Sequence, residues 1–316
     1  MNTVQSNAVT THERAQKRLA AKRKFKMNIP LLVMFIPVIL FYLIFKYLPM
    51  MGAVIAFKDY NFYDGVFGSP WVGWDNFEKL FNNYNTVRII RNTLFLSVLQ
   101  IVAAFPFPIA LAILFHEVRN MWFKKITQTL VYLPHFFSWI IVGGIVITVF
   151  GIEGTLNKWI EGYIGEPYPF LYRPGSWVAI FVGSGIWKDM GFNAIIYMAA
   201  MSAIDPSLYE SANIDSASKW KQITNITLPG IAPTMILLFI LSMGRVMEVG
   251  FDQVFILSNG AVKDVADVIS TYIYRVGLQG AQFSLTTAMG LFESAVSFIL
   301  LLTVNGIARR YQKGLF

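Results

Sequence analysis

Apolar stretches long enough to cross a membrane recur along the chain, separated by shorter polar segments. A helix needs about 20 residues to cross the hydrocarbon core of a bilayer. The uncharged stretches at 27–45, 92–115 and 126–151 predict three membrane spans, at 27–46, 92–115 and 126–151. Three less regular stretches predict further spans, at 177–204, 231–247 and 285–307. The pattern predicts an all-α, polytopic integral membrane protein with six transmembrane helices and both termini on one side.

The composition agrees with this pattern. The chain of 316 residues is 55% hydrophobic and only 14% charged, whereas soluble domains carry about 25% charged residues. A single soluble domain is therefore excluded. We expect a basic N-terminal segment at 1–26, a transmembrane domain at 27–308 and a tail at 309–316.

The chain offers little for catalysis. It has no cysteine, which excludes disulfides, Cys-ligated zinc, iron–sulfur clusters and thiol nucleophiles. Its three histidines, His12, His116 and His135, are scattered. No Gly-x-x-x-x-Gly-Lys-[Ser/Thr] phosphate loop occurs, so the chain cannot hydrolyse ATP itself. An intramembrane hydrolase with Ser184 as its nucleophile is an unfavourable alternative, because the sequence around Ser184 does not match the Gly-x-Ser-Gly nucleophile pattern. We predict no enzyme activity and no bound cofactor or metal.

The distribution of positive charge predicts the topology. More than half of the 26 lysines and arginines lie in the N-terminal segment, the 116–125 and 205–230 loops and the C-terminal tail. Cytoplasmic loops are enriched in Lys and Arg, so these segments and both termini should be cytoplasmic. The segments 46–91 and 153–176 should face outward. A basic cluster directly before a membrane span does not indicate nucleic-acid binding.

The 205–230 loop is strongly patterned. Asp205 followed by Pro206 is typical of a helix start, with a carboxylate at the N-cap and proline at the first helical position. Asp215 predicts a second N-cap, and Pro229 should end the second helix before the next span. We therefore expect two short helices joined by a bend near 214–216. An alternative is a helix resting on lipid headgroups, which Trp220 between two lysines would suit.

The same loop resembles a known family motif. Glu210-Ser211-Ala212 is followed, after three residues, by Ser216, and nine residues later by Ile226-x-Leu228-Pro229. This spacing is similar to the EAA loop of permease subunits from binding-protein-dependent ABC importers. Ser211 replaces the alanine of that motif and Ser216 replaces its glycine, the residue that usually permits the bend.

Shorter motifs extend the resemblance over most of the chain. They are Val72-Gly73-Trp74-Asp75-Asn76-Phe77, Tyr132-Leu133-Pro134-His135, Gly143-Gly144, Gly154-x-x-Asn157, Trp187-Lys188-Asp189-Met190-Gly191 and Ile204-Asp205-Pro206. Most of them are similar to the branch of this family that handles complex oligosaccharides and polysaccharides, such as the alginate-type or lipoprotein-type sugar permeases.

The resemblance implies a type I ABC importer permease in a bacterial cytoplasmic (inner) membrane. Its implied partners are a second, different permease chain, two cytoplasmic ATPases that use ATP and Mg, an extracytoplasmic solute-binding protein, and lipid. The residues implied to contact the ATPase are Glu210, Ser211, Ala212, Asp215, Ser216 and Ala217. The loop would couple ATP-driven closure of the ATPases to alternating access.

Several polar and aromatic residues lie in or near the predicted spans. Charges facing lipid cost about 2.5–3.5 kcal/mol each, so they should face a cavity or one another. The candidates for a sugar path are Trp187, Lys188, Asp189, Asn193, Tyr197, Arg245, Glu248 and Glu293. Pairing between helices or contact with a partner subunit is the alternative role. A path lined by Lys188 or Arg245 would favour an acidic oligosaccharide.

An ion-coupled secondary transporter is the alternative function, although the repeated broken helices typical of that class are not found.

Overall fold

The computed structural model describes residues 28–310, and within this range it is helical apart from loops and one isolated bridge between Lys58 and Trp71. Helix α1, a continuous helical run, covers Asn28–Phe57. Its part up to Ile55 forms a unit of its own. Its large apolar side chains from Ile29 to Met51 are exposed, as expected of a helix whose solvent is lipid.

The remaining residues, Ala56–Phe316, form the second unit. Its described helices are α2 (Gly65–Gly68), α3 (Asp75–Phe81), α4 (Tyr84–Ala104), α5 (Pro106–Glu117), α6 (Met121–Tyr132), α7 (Trp139–Phe150), α8 (Thr155–Ile164), α9 (Pro174–Ser202), α10 (Pro206–Ile214), α11 (Lys219–Met243), α12 (Phe251–Leu257), α13 (Lys263–Ala266), α14 (Ile269–Tyr272) and α15 (Phe283–Arg310). Helix α14 continues as a π-helix over Ile273–Gln279.

Five helical runs among the described residues are long and apolar enough to cross a membrane. They are Asn28–Phe57, Tyr84–Glu117, Trp139–Ile164, Lys219–Met243 and Phe283–Arg310. The fourth predicted span coincides with α9, whose 29 residues give about 43 Å of helix at 1.5 Å per residue. Six spans therefore remain the prediction. The N-terminal segment at 1–26 and most of the tail at 309–316 lie outside the described residues.

The first and second helical runs, Asn28–Phe57 and Tyr84–Glu117, extend beyond the predicted spans at 27–46 and 92–115. Two other predicted spans differ more from the observed helices. The third, at 126–151, is interrupted: α6 ends at Tyr132, a 3-10 turn covers Leu133–Phe136, and α7 begins at Trp139. Pro134 lies in this turn, where its missing N–H and fixed φ favour a break.

The fifth predicted span, at 231–247, begins earlier and ends earlier than expected. Helix α11 starts at Lys219, runs through Pro229 and ends at Met243. A π-helical segment over Ile223–Thr227 precedes the proline, and such wider turns accommodate the missing i to i−4 hydrogen bond. Pro229 was therefore wrongly predicted to end this helix.

Helix α9 lies at the centre of the second unit. It packs against α4, α5, α6, α7, α11 and α12. Trp177 and Phe181, near its beginning, are fully buried in one apolar cluster, and Tyr197 and Met201, near its end, are buried in another. At Gly191 a Cβ atom would lie 2.2 Å from the carbonyl oxygen of Val131 on α6. This glycine allows the two backbones to approach closely.

Two buried asparagines hold the loops at the start of α9 and before α3. The Nδ2 of Asn157 donates to the carbonyl oxygens of Gly151 (2.8 Å) and Tyr168 (2.9 Å), and its Oδ1 accepts from the Tyr168 backbone N–H. The Nδ2 of Asn76 donates to the carbonyls of Ala56 and Lys58. The motifs at 154–157 and 72–77, which contain these asparagines, therefore have structural roles.

Candidate functional site

The first half of the 205–230 loop is helix α10. The carboxylate of Asp205 accepts a hydrogen bond of 2.9 Å from the backbone N–H of Ser207, and Pro206 occupies the first helical position. The predicted N-cap at Asp205 is confirmed. The hydrogen bond from Ser207 lowers the pKa of Asp205 below its ordinary value of 3.8, because it stabilises the ionised carboxylate.

The bend falls at Ser216, whose φ is +53°. The N–H of Ser216 bonds to the carbonyl of Asn213 (3.1 Å), and the N–H of Ala217 bonds to that of Ala212 (2.9 Å). This pair of bonds is the Schellman motif, which usually has glycine at the left-handed position. Ser216 therefore adopts the conformation of the family glycine, at a cost of about 1–2 kcal/mol for an L-residue.

Asp215 was wrongly predicted as the N-cap of the second helix. Its backbone N–H bonds to Ser211, so it ends α10. The N-cap of α11 is Ser218, whose hydroxyl accepts from the N–H of Lys221. Asp and Ser are equally good N-cap residues, and the position of the Schellman turn decides between them.

Four contacts clamp the loop. The Nε2 of buried Gln222 donates to Asn213 Oδ1 (2.8 Å) and to the carbonyl of Ala217 (3.1 Å). The hydroxyl groups of Tyr209 and Thr227 lie 2.9 Å apart, which joins α10 to α11. The Nζ of Lys219 lies 2.9 Å from Glu117 at the end of α5. The loop is thus tied both to itself and to α5.

The six residues of the predicted contact surface are adjacent in this clamped loop. Four are exposed, namely Glu210, Ser211, Asp215 and Ser216, and two are half-buried, Ala212 and Ala217. The side chain of Ile214 is 84% exposed and that of Trp220 is 72% exposed. Sequence reasoning missed Ile214, an apolar side chain between the two halves of the motif that is not buried against any of the described residues.

A cavity of about 430 Å³ lies between α4, α5, α9 and α11, near the middle of α9. Its lining residues are Gln100, Ile101, Ala104, Phe105, Pro108, Gly185, Ile186, Asp189, Met190, Asn193, Tyr197, Leu238, Leu241, Ser242 and Arg245. Four of the eight sequence candidates therefore meet in one cavity: Asp189, Asn193, Tyr197 and Arg245. Apolar walls with a few converging polar groups are typical of ligand sites.

A second cavity of about 220 Å³ adjoins the first, and the two share Gln100, Ile101, Ser242 and Arg245 in their linings. Glu248 lines the second cavity. Its wall includes part of the irregular segment between α11 and α12, and irregular backbone at membrane depth is tolerated where it lines a cavity. Five candidates are thus distributed over two adjacent cavities.

Sequence reasoning missed Gln100 and Ser97. The Oε1 atom of Gln100 and the Oγ atom of Ser97 are buried and have no hydrogen-bond partner among the described residues. Both side chains line the second cavity, and Gln100 also lines the first. A polar amide in the middle of the uncharged stretch 92–115 was the signal that could have identified Gln100.

The other three candidates lie elsewhere. Lys188 is buried, and its Nζ donates to the carbonyl oxygen of His135 at 2.6 Å. Trp187 lines a separate apolar groove together with α7 residues. Glu293, on α15, lines neither cavity.

Asp189 also takes part in this helix contact. The Nδ1 of His135 donates to Asp189 Oδ1 at 2.9 Å, and the His135 ring stacks on Phe192 with centroids 4.0 Å apart. Lys188 and Asp189 therefore join α9 to the turn between α6 and α7. Of the two, only Asp189 also reaches the larger cavity.

Comparison with known proteins gives a consistent result. Residues 104–315 match the family model of the binding-protein-dependent transport system inner membrane component. Protein LplB of Bacillus subtilis is 42% identical, with 90% of this chain and 91% of that protein covered. The polygalacturonan/rhamnogalacturonan transport system permease protein YteP of the same organism is 39% identical, with 98% and 97% covered.

A solved structure agrees in fold. A chain of the bacterial ABC transporter involved in the import of the acidic polysaccharide alginate superposes with a TM-score of 0.84 at 41% identity, covering 92% of this chain and 99% of that one. That transporter has also been solved in complex with a periplasmic protein that holds an alginate pentasaccharide. The family consists of transporter subunits and not of enzymes. This chain belongs to the inner-membrane permease components of binding-protein-dependent ABC importers.

Proposed function

We propose that this permease imports an acidic oligosaccharide, a uronate oligomer. We propose also that the 205–230 loop transmits the movement caused by ATP hydrolysis in partner subunits to the sugar path. The observation that carries the proposal is the continuity of α11. This helix begins in the clamped loop at Lys219 and ends beside the larger cavity, whose lining includes Leu241 and Ser242.

The helices on either side of the loop form a mechanical connection. From Lys219 to Leu241, α11 covers about 33 Å at 1.5 Å per residue. Helix α9 lines the same cavity at Asp189 and ends at Ser202, three residues before the loop begins. A displacement of the loop would therefore move two cavity walls together. Such rigid-body movement is the basis of alternating access in transporters.

One charge in the cavity linings, that of Arg245, supports an acidic substrate. Arg245 lines both cavities and has no ion pair among the described residues. A guanidinium group binds carboxylates in a bidentate manner, and this charge would attract a uronate. Asp189 and Glu248 would accept hydrogen bonds from sugar hydroxyls. Two relatives whose names include acidic polysaccharides, the polygalacturonan permease and the alginate transporter, support the same substrate class.

The proposed assembly has four kinds of component around the membrane lipid. This chain would pair with a second, different permease chain, two ATPases would dock on the cytoplasmic loops, and a solute-binding protein would deliver the sugar from outside. Neither ATP nor Mg binds this chain in the proposal. Both termini and the 205–230 loop are cytoplasmic, as the positive charges favour, and Glu210 would face a basic group of an ATPase.

Co-purification tests the coupling surface. A tagged form of the full chain is extracted gently from its native host, and its companions are identified by mass spectrometry. We expect an ATPase with a phosphate loop and a second permease. Glu210→Arg and Ala217→Trp should lower ATPase recovery at least tenfold, while Thr224→Ala, a change to an exposed hydroxyl bonded only within α11, should not. Recovery of the chain alone or as a self-dimer would contradict the proposal and favour an ion-coupled carrier.

Cysteine labelling tests the orientation independently, since the chain has no cysteine of its own. Ser218 and Glu78 are both exposed. Ser218→Cys should be protected from a membrane-impermeant thiol reagent in cells whose inner membrane is intact, and Glu78→Cys should react. The reverse labelling pattern would contradict the cytoplasmic placement of the loop.

A further inference from the structure

A third cavity, separate from the proposed sugar path, lies among α12, α13 and α14. Its volume is about 230 Å³. It is lined by Phe255, Ser258, Asn259, Gly260, Lys263, Ala266, Asp267, Thr271, Tyr274, Arg275 and Gln279. It shares no lining residue with the two cavities described above.

This cavity lies at the end of the protein opposite the 205–230 loop. Asn259, on its rim, donates from Nδ2 to the carbonyl oxygen of Leu171 at 2.8 Å, just before α9 begins at Pro174. The loop follows the other end of α9. Since α9 covers about 43 Å, the cavity and the loop are separated by the length of a membrane span. In the proposed orientation the cavity therefore opens on the outer side.

The floor of the cavity is rigid and its charges are paired. Arg275 contacts Asp267 in a bidentate manner, with NH1 to Oδ1 at 3.1 Å and NH2 to Oδ2 at 2.8 Å. The hydroxyl of Thr271 donates to the same carboxylate at 2.8 Å. The side chain of Asn92 on α4 donates to the carbonyl oxygens of Asp264 and Asp267. These contacts use the hydrogen-bonding capacity of the floor and keep it in place.

The rim, by contrast, carries unused polar groups beside an aromatic wall. The side chains of Lys263, Tyr274 and Gln279 have no hydrogen-bond or ion-pair partner among the described residues. The rings of Phe255 and Tyr274 lie edge to face with centroids 5.4 Å apart, and both contact Phe251. Residues that carry an unpaired ammonium group, a free hydroxyl, a free amide and an aromatic ring thus line one small volume.

We propose that this cavity is an accessory outer site for one carboxylated pyranose unit of the acidic oligosaccharide. Lys263 would pair with the carboxylate, Tyr274 and Gln279 would bond to ring hydroxyls, and the aromatic wall would contact the apolar face of the sugar. The cavity suits a single sugar ring and not a chain, since it is smaller than the roughly 300–1,000 Å³ of typical ligand pockets. The inference rests on the proposed substrate class but concerns a different site.

Equilibrium binding of a fluorescently labelled galacturonate trisaccharide tests the site. The tagged full chain, with the subunits that accompany it, is placed in lipid nanodiscs. Lys263→Gln should weaken binding to this site about tenfold or more, because it removes a hydrogen bond between charged groups. Tyr274→Phe should weaken it less, and Lys79→Gln, at an exposed lysine on α3, should have no effect. The fully methyl-esterified trisaccharide, which is neutral, should not distinguish Lys263→Gln from the unaltered protein.

Arg245→Gln separates this inference from the proposed function. It should weaken binding in the larger cavity and leave the Lys263-dependent component unchanged. If Arg245→Gln lost all probe binding and Lys263→Gln lost none of it, the accessory site would be overturned while the proposed function remained. Absence of probe binding by the unaltered protein, with sugar uptake retained, would overturn it equally.

Discussion

The clamp formed by Gln222 leads to a quantitative prediction for the coupling loop. Gln222→Leu keeps the buried volume but removes the hydrogen bonds to Asn213 and Ala217. Each bond contributes about 1 kcal/mol net, and the exposed Asn213 side chain can bind water instead. The closed turn should therefore lose about 1–2 kcal/mol, which raises the population of the open turn about 5–30-fold.

Hydrogen–deuterium exchange of the loop measures this change. The N–H of Ala217, which bonds to Ala212 at 2.9 Å, reports opening of the turn, because local opening exposes it to exchange. We expect exchange in 211–218 to accelerate about 5–30-fold in Gln222→Leu. Thr224→Ala should leave it unchanged, since the Thr224 hydroxyl bonds only within α11. Unchanged exchange in Gln222→Leu, or equal acceleration in both variants, would refute the clamp.

The same variant has a functional consequence. A loop that opens more often transmits less of the ATPase movement to α11, so the amount of sugar imported per ATP hydrolysed should fall. The ATPase rate itself should change less, because the contact residues remain. Uptake and phosphate release measured in the same proteoliposomes give this ratio.

Three further predictions concern single positions. Gly191→Ala should destabilise the protein by about 1–3 kcal/mol through overpacking against Val131, measured by thermal unfolding, whereas Gly183→Ala should not, since a Cβ there meets nothing within 4 Å. Ser216→Gly should stabilise the loop turn by up to about 1 kcal/mol, because the left-handed strain that it removes exceeds the backbone entropy that glycine adds to the unfolded chain, and slower exchange would report this. The lowered pKa of Asp205 means that its cap stabilises α10 above pH 3.8 and is lost as pH falls through the lower folded value. The protection of α10, corrected for the intrinsic pH dependence of amide exchange, should fall there, and Asp205→Asn, which stays neutral and still accepts the bond, should remove this dependence.

The sequence predicted the loop better than the spans. Local chemistry identified the start of α10 at Asp205 and the position of the bend, because cap and turn residues act over a few residues. It could not place the start of α11, because Asp215 and Ser218 are both suitable N-cap residues. Nor could it predict that α11 continues past Pro229 after a π-helical segment, because the formation of that segment depends on packing.

The cavities were predicted only in part. Asp189, Asn193 and Tyr197 line one wall, since four-residue spacing places them on one face of α9. Adjacent helix positions point about 100° apart, so Trp187 and Lys188 face other neighbours. Gln100 was overlooked because it is uncharged and belongs to none of the sequence motifs. The accessory cavity depends in part on contacts between distant residues, such as Asn92 and Asp264, which are 172 positions apart, and no local pattern reveals these.

Measuring which energy source drives sugar uptake tests most directly the central claim, that the chain is a permease powered by partner ATPases. Proteoliposomes containing the co-purified assembly, with ATP and Mg supplied on the ATPase side, are given a labelled galacturonate oligosaccharide and the solute-binding protein. We predict accumulation that requires ATP, that is abolished when Glu210→Arg removes the ATPase contact, and that an imposed proton or sodium gradient cannot replace. Uptake driven by such a gradient without ATP, and unaffected by Glu210→Arg, would contradict the account.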